Sequence, residues 1–145
     1  MAIYHKASHV TYDCRYHIVW ITKFRRKVLT EAMHARLATI LAGVAKDLYI
    51  SIIRMGFEDD HVHLYVAIPH TQHIPYVAQM FKGRTSKILR QEFEGHLKKF
   101  YWKPFLWAVG YFIATVGEVN HETIARYVEE QGRKEVLGDD ETVDL

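Results

Sequence analysis

The chain of 145 residues lacks several features that would direct it to a membrane or to the cell exterior. It contains one cysteine, Cys14, which excludes an intrachain disulfide and a zinc site built from several cysteines. No apolar run approaches the roughly 20 residues of a membrane-spanning helix, and residues 1–6 do not have the pattern of a signal peptide. We therefore expect a cytoplasmic protein without membrane association.

The charge of the chain is distributed unevenly. Its formal net charge is +2, from 19 Lys and Arg against 17 Asp and Glu. Residues 135–145 contain no Lys or Arg and five acids, namely Glu135, Asp139, Asp140, Glu141 and Asp144. The other 19 bases and 12 acids give residues 1–134 a charge of +7, which favours a polyanionic partner. We expect residues 1–134 to form one domain and residues 135–145 to form a mobile acidic tail.

The spacing of apolar residues predicts a mixed α+β chain. Alternating patterns predict strands over residues 11–23, 49–57, 61–68, 100–107 and 111–117. Helical spacing predicts helices over residues 30–48, 75–93 and 120–132. Thr30, Pro75 and Asn120 are residues typical of helix starts, and Gly132 is typical of a helix end.

With the strand-like segments 100–107 and 111–117 taken together, the order of these elements is β-α-β-β-α-β followed by an additional helix. This order predicts a ferredoxin-like, or RRM-like, antiparallel sheet with helices on one face and a C-terminal helix that carries Tyr127. The other face of the sheet would carry His61 and His63. Sheets of this kind also bind RNA through aromatic side chains, so the fold does not determine the function.

His61 and His63 are the most informative residues of the sequence. They alternate with Val62 and Leu64 in the strand, so both imidazoles point to the same face. Two imidazoles on one face of a rigid strand are two of the three protein ligands of a typical catalytic metal site. The alternative is a pair of histidines on a solvated sheet face.

Tyr127 and Gln131 are spaced i, i+4 and share one face of the last predicted helix. A phenol can act as a nucleophile, and an amide oxygen can complete a metal site. Glu130, Asp59 and Asp60 are rival third ligands. Each residue also has a simpler interpretation, since a helical tyrosine often packs in a core and a helical glutamine is often solvated.

Two basic clusters are candidate DNA contacts. They consist of Lys23, Arg25, Arg26 and Lys27, and of Lys82, Arg84, Lys87 and Arg90. The alternative for each residue is a solvated charged surface. We expect Trp102 and Trp107 to be core or interface residues rather than stacking platforms for bases.

The ordered set of motifs resembles the HUH single-tyrosine transposases of the insertion sequence 200/605 type. The matching segments are Tyr-His-Ile-Val-Trp at 16–20, His-Val-His-Leu at 61–64, Phe-Lys-Gly-Arg-Thr-Ser at 81–86, Tyr-Phe-Ile-Ala-Thr-Val-Gly at 111–117, and Tyr-x-x-x-Gln at 127–131. The resemblance covers most of the chain. It implies cleavage and rejoining of single-stranded DNA with hairpin ends through a 5′-phosphotyrosine intermediate. It also implies Tyr127 as nucleophile and His61, His63 and Gln131 as ligands of Mg²⁺ or Mn²⁺.

The resemblance further implies a homodimer with shared active sites. Each site would join His61 and His63 of one subunit to Tyr127 and Gln131 of the other. Residues 117–120 fit this arrangement as a linker, and the apolar residues 104–109 fit it as an interface. The alternative is a monomer whose tyrosine helix packs on its own sheet. Two other functions stay open: a noncatalytic module that binds single-stranded nucleic acid, and a domesticated relative that acts on genomic repeats.

Overall fold

The computed structural model describes residues 5–6, 9–115 and 121–137. In chain order the elements are β1 (His5–Lys6), β2 (Thr11–Tyr12), β3 (Arg15–Ile21), α1 (Glu31–Asp47), β4 (Ser51–Phe57), β5 (His61–Ala67), α2 (Ile74–Glu92), α3 (Glu94–Leu97), β6 (Phe112–Thr115) and α4 (His121–Leu137). A single 3-10 turn, Lys23–Arg25, follows β3. Across the described part of the chain, the helices are too short or too polar to cross a membrane.

Four strands form one antiparallel sheet in the order β4-β5-β3-β6, and β1 and β2 form a separate two-stranded ribbon. The order of elements from β3 to β6 is β-α-β-β-α-β, with α4 after it. This is the predicted ferredoxin-like topology with an additional C-terminal helix. The fold prediction is therefore confirmed.

Helices α1 and α2 cover one face of the sheet and enclose the main core. Thr30 begins α1 and accepts a hydrogen bond from the backbone N–H of Met33 at 3.3 Å, as an N-cap does. The apolar stripe that gives residues 30–48 their helical spacing is buried in full along α1 and at its C-cap: Met33, Leu37, Ile40, Leu41, Val44 and Leu48. These side chains pack with Ile18 and Trp20 of β3, which point to the helices because residues of even number in this strand share a face.

Residues 100–107 do not form the predicted strand. Their one sheet-like contact is an isolated bridge between Trp107 and Thr22. Phe105, Leu106 and Trp107 are buried in the main core, and the Trp107 indole donates to Thr85 Oγ1 at 3.0 Å. The apolar residues of this segment therefore fill the core, although their backbone is irregular. Most of them are buried and cannot form the subunit interface predicted for residues 104–109. The short helix α3 was not predicted.

Helix α4 does not end at Gly132 but continues to Leu137. Gly132 is buried, and a Cβ at this position would overlap Cδ of Arg25. This glycine therefore permits a close approach between α4 and the 3-10 turn rather than a helix end. The boundary expected before residue 135 falls inside α4, where Glu135 is buried. The predicted cap Asn120 and residues 138–145 lie outside the described residues.

Helix α4 covers part of the second face of the sheet, in cis. A small core joins Val19 and Ile21 of β3 with Ala108 and with Ile124 and Val128 of α4. Phe112 and Tyr127 pack against this cluster, with ring centroids 5.5 Å apart. The tyrosine helix therefore lies over β3 and β6, beside the strand that carries the histidines.

Candidate active site

The sheet register places His61 and His63 on the face that α4 partly covers. His61 lies opposite Ile21 and His63 lies opposite Val19 in the β3–β5 pairing. Because Ile21 and Val19 contact the α4 cluster, the paired histidines point to the same side of the sheet as α4. Both histidines are partly exposed, as side chains that bind a substrate or an ion must be.

Asp60 fixes the orientation of His61. Asp60 Oδ1 lies 2.8 Å from His61 Nδ1, and Asp60 Oδ2 accepts from Arg25 Nε at 3.0 Å. Burial opposes the charge on Asp60, but the hydrogen bonds from His61 and Arg25 outweigh it and lower the pKa of the carboxyl group. Since an ionised carboxylate only accepts, we assign a proton to His61 Nδ1, which leaves Nε2 as the ring nitrogen able to bind an ion.

His17 is a second neighbour of the histidine pair. Its Nδ1 lies 3.0 Å from His63 Nε2, and its ring stacks on Tyr65 with centroids 4.8 Å apart. Arg15 donates to the Tyr65 hydroxyl at 3.0 Å. Burial and the positive charge of Arg54 lower the pKa of His17, so its ring is neutral at neutral pH. His17 shares this face because it lies two residues before Val19 in β3, and its contact with His63 depends on the pairing of β3 with β5.

Tyr127 and Gln131 share a face of α4 and line one groove, as their spacing predicts. The groove is bounded by Val109, Gly110 and Tyr111 and has a volume of about 430 Å³. Gln131 Nε2 donates to the carbonyl of Val109 at 3.3 Å, which leaves its amide oxygen as the group able to bind an ion. Burial and the negative charge of Glu135 raise the pKa of the Tyr127 phenol above its ordinary value.

The histidine pair lies close to the pair of Tyr127 and Gln131, but the two pairs line different surfaces. Phe112, which contacts Tyr127, pairs with Val19, and Val19 pairs with His63. Phe112 and His63 are thus two strands apart, a distance of about 10 Å. The groove that Tyr127 and Gln131 line does not include His61 or His63.

A buried ion pair holds the C-terminal half of α4 to the sheet. Lys23 Nζ is fully buried and lies 2.8 Å from Glu135 Oε1. Neither atom makes a directed hydrogen bond with a described partner, so the pair depends on charge attraction. Phe24 and Arg25, next in the chain, have left-handed φ angles of 59° and 52°. Two such non-glycine residues cost about 1–3 kcal/mol each and place Arg25 between Asp60 and Gly132.

The basic residues do not form two surface clusters. Lys23 lies in the 3-10 turn after β3, where its side chain is fully buried against Glu135 of α4, so it points into the protein. Lys82 lies on the buried stripe of α2 and donates to the carbonyls of Ala108 and Gly110, both at 2.7 Å. The prediction that these two lysines face DNA does not hold in this conformation.

The other six basic residues reach the surface to different extents. Arg25 binds Asp60, and Arg84 lies 3.5 Å from Asp47. Lys27 and Lys87 are exposed. Arg26 donates to the carbonyl of Phe100, and Arg90 donates to Ser86 Oγ at 3.0 Å.

The donor groups present fit a divalent ion. His61 offers Nε2, while His63 offers Nε2 only after its contact with His17 opens. The described residues include no group of three His, Cys, Asp or Glu side chains placed to hold an ion, so the rival carboxylates gain no support. An amide or phosphate oxygen would have to complete the coordination. A mixed set of imidazole and oxygen ligands suits Mn²⁺, and a larger share of oxygen ligands would suit Mg²⁺.

A ferredoxin-like sheet with paired histidines beside a tyrosine-bearing helix is the arrangement that the resemblance to single-tyrosine transposases predicts. The chain belongs to one family of these enzymes: the model described as "Transposase IS200 like" matches residues 10–131.

Relatives support this membership. The chain is 32% identical over 130 residues to the ISDra2 transposase TnpA of Deinococcus radiodurans, covering 90% of this chain and 92% of the relative. A crystal structure of a candidate transposase from Deinococcus radiodurans R1 superposes with a TM-score of 0.81 and 29% identity, over 88% of this chain and 97% of that one. The structure of a REP-associated tyrosine transposase bound to a REP hairpin shares the fold, with a TM-score of 0.55 and 12% identity, over 86% and 69% of the two chains.

Proposed function

We propose that this transposase cleaves and rejoins single-stranded DNA through a covalent 5′-phosphotyrosine bond to Tyr127. The observation that carries the proposal is the position of α4. It presents Tyr127 and Gln131 on one helical face and packs against β3, directly beside the strand that carries His61 and His63. A noncatalytic module that only binds nucleic acid has no need of this combination.

The reaction is a transesterification. The Tyr127 oxygen attacks the scissile phosphorus, the bond from phosphorus to the 3′ oxygen breaks, and the leaving strand takes a proton to become a 3′-hydroxyl. A phenol is a good leaving group, so attack by a 3′-hydroxyl on the phosphotyrosine reverses the step and joins two strands. The raised pKa of Tyr127 means that the phenol is protonated in the docked state, so its proton must be removed during attack.

We assign His61, His63 and Gln131 as ligands of Mg²⁺ or Mn²⁺. Held by these residues, such an ion would supply Lewis acidity, which would polarise a phosphoryl oxygen and offset negative charge during cleavage. Asp60 supports this role because it holds His61 in the orientation that directs Nε2 away from the strand.

We propose hairpin-ended single-stranded DNA as the substrate. The REP-associated tyrosine transposase that shares this fold was determined with a REP hairpin. The basic residues that remain at the surface are suited to phosphate contacts, and they carry no information on the hairpin sequence. The cytoplasmic location expected from the sequence stays a prediction.

We also propose a homodimer in which each active site joins His61 and His63 of one subunit to Tyr127 and Gln131 of the other. Two observations support it. In cis, the groove of Tyr127 and Gln131 excludes both histidines, and the phenol is packed against Phe112. The cis arrangement is then a resting state, and α4 must leave its own sheet before cleavage.

Covalent trapping tests the chemistry. The protein is incubated with single-stranded DNA from the flanks of its own locus, and the adduct is resolved on a denaturing gel. Tyr127→Phe removes only the hydroxyl, so it should bind DNA and form no adduct. His61→Ala with His63→Ala, or chelation of the metal, should also abolish the adduct, and Mn²⁺ should restore it only in the chelated wild type. An undiminished adduct with Tyr127→Phe would refute the nucleophile.

Complementation tests the shared site. Tyr127→Phe and the His61→Ala/His63→Ala variant are inactive alone. After subunit exchange, a trans arrangement gives heterodimers with one intact site, and cleavage should return. If heterodimers are demonstrated by mass and the mixture stays inactive, the trans arrangement is wrong while the chemistry stands.

A further inference from the structure

Trp102 is exposed on the surface in a way that its neighbours do not explain. It is 75% exposed, whereas Trp20 and Trp107 are completely buried. Its one ring partner among the described residues is Lys103, whose Nζ lies 4.5 Å from the ring centroid. Folding gains little from an indole in this position, because most of its apolar surface stays in water. Of the two roles expected for Trp102, core or interface, this exposure excludes the core.

A hollow adjoins this indole. Its volume is about 290 Å³, and its floor includes Tyr101 and Phe105. Three cationic side chains, Arg90, Lys98 and Lys103, line it together with one acid, Glu94. An aromatic platform ringed by cations is the combination that proteins use to bind single-stranded nucleic acid, because bases stack on the ring while phosphates meet the cations.

Arg26 adds a positive charge next to the hollow, because it contacts Tyr101, which lines the hollow. Its guanidinium lies 5.5 Å from the Tyr101 ring centroid and donates to the carbonyl of Phe100. Arg26 and Arg90 are 64 positions apart in the sequence and belong to the two different basic segments. The loop that carries Trp102 therefore joins the surface parts of both segments into one cationic patch.

We propose that Trp102 and the adjoining hollow bind an unpaired nucleobase of single-stranded DNA. The base stacks on the indole, the flanking phosphates contact Lys98, Lys103 and Arg90, and Glu94 accepts from an N–H group at the edge of the base, such as N3–H of thymine. A second copy of this chain is a poorer occupant, because a twofold contact here would bring like charges together. The inference rests on the proposed function, since it assigns an additional contact for the same substrate.

The position of the hollow connects it to the active site. Arg25 and Arg26 are consecutive, yet Arg25 reaches Asp60 on the histidine side and Arg26 reaches Tyr101 on the hollow side. The Tyr101 hydroxyl also donates to the carbonyl of Lys23 at 2.7 Å, at the end of β3. The base site therefore lies at the same end of the sheet as His61, where one strand of DNA can reach both.

Intrinsic fluorescence provides a selective test, because Trp102 is the one tryptophan that solvent and DNA can reach. The probe is an oligothymidine of about 12 nucleotides, which has no hairpin and spans a typical single-strand site. Binding should quench the emission of the wild type and of Tyr127→Phe. Trp102→Ala should weaken binding, measured by fluorescence anisotropy of a labelled probe, about 5- to 100-fold. Trp102→Phe should retain most of the affinity, and Tyr49→Ala, an exposed aromatic outside the hollow, should retain all of it.

Each outcome is decisive. Unchanged affinity of Trp102→Ala for the probe, while the wild type still forms adducts, overturns this inference and leaves the proposed function intact. A change in sedimentation of Trp102→Ala without a change in affinity also overturns it and identifies a contact between copies. A wild type that neither binds the probe nor forms adducts overturns both.

Discussion

The two faces of the sheet are covered in different ways. On one face, α1 and α2 enclose a continuous core in which every residue of the α1 stripe is buried and the first turn is capped. On the other, α4 is held by the small cluster of Val19, Ile21, Ala108, Ile124 and Val128 and by one buried ion pair. Apolar burial is insensitive to direction, whereas a buried ion pair depends on the exact placement of two charges.

This difference separates stability from chemistry. The histidines are positioned by β5, which the large core supports from behind through Val62, Leu64 and Val66. Tyr127 and Gln131 are positioned by a helix with a small apolar contact, so their attachment can open without unfolding the sheet. We infer that the first face provides the stability and that the second provides the element that moves.

Removal of one charge of the Lys23–Glu135 pair should have the largest effect on this comparison. Glu135→Gln leaves a buried ammonium without its counter-charge, which costs about 3–5 kcal/mol. The cost should appear as local opening of α4, because movement of this helix lets water reach the Lys23 ammonium while α1, α2 and the sheet stay packed. Hydrogen exchange should therefore accelerate in α4 and remain slow in α1.

Two variants control this measurement. Glu129→Gln removes an exposed acid of the same helix, which lies 3.1 Å from Arg133, and should change exchange little. Lys23→Met with Glu135→Leu replaces the pair by apolar groups and should restore a slowly exchanging α4. Unchanged exchange in Glu135→Gln would show that the ion pair does not hold the helix.

Loss of the Asp60 carboxylate should have an intermediate effect, confined to the histidine face. Asp60→Asn removes the charge that sets the His61 ring, and changes of this kind typically weaken metal binding about 10- to 100-fold. Calorimetric titration with Mn²⁺ measures the affinity, and nitrogen NMR of the metal-free protein reports whether His61 still carries its proton on Nδ1. Asp59→Asn, at the exposed neighbouring residue, is the matched control. An unchanged tautomer and affinity in Asp60→Asn would contradict the positioning role.

A matched pair of valines should show the smallest effect and compares the two faces directly. Val44 of α1 is fully buried and Val128 of α4 is 3% exposed. Removal of two methyl groups costs about 2 kcal/mol at either site. For Val44→Ala the full cost should appear in urea denaturation of the whole domain. For Val128→Ala most of it should appear only in hydrogen exchange of α4. Equal losses of global stability would mean that both faces unfold together.

The sequence predicted the parts of the fold that local periodicity determines. The α1 stripe, the Thr30 cap and the alternation of β3 and β5 are properties of neighbouring residues, and the structure confirms them. The errors fall where tertiary packing overrides local pattern. Residues 100–107 are apolar because they fill the core, and Gly132 is a glycine because Arg25 packs against it.

The site was predictable to the same extent. Strand alternation and helical spacing identified His61, His63, Tyr127 and Gln131 as pairs, because each pair lies on one element. The roles of Asp60, His17 and Lys23 depend on residues that are distant in the chain or on how a side chain turns after the strand ends. A run of lysine and arginine looks alike in sequence whether its members face solvent, a carbonyl or a buried acid.

The position of Arg25 has a consequence for regulation. Its guanidinium binds the Asp60 carboxylate, which orients His61. Its aliphatic part packs against Gly132 of α4, the helix that carries Tyr127. One side chain therefore links the part of the proposed site that contains His61 to the helix that carries Tyr127 and Gln131. Coupled equilibria are reciprocal. If docking of the helix changes the affinity for a divalent ion by some factor, binding of the ion must change the equilibrium constant for helix docking by the same factor. The proposed metal ion would then also be an effector, because it would shift the equilibrium between the docked and released positions of the helix that carries Tyr127.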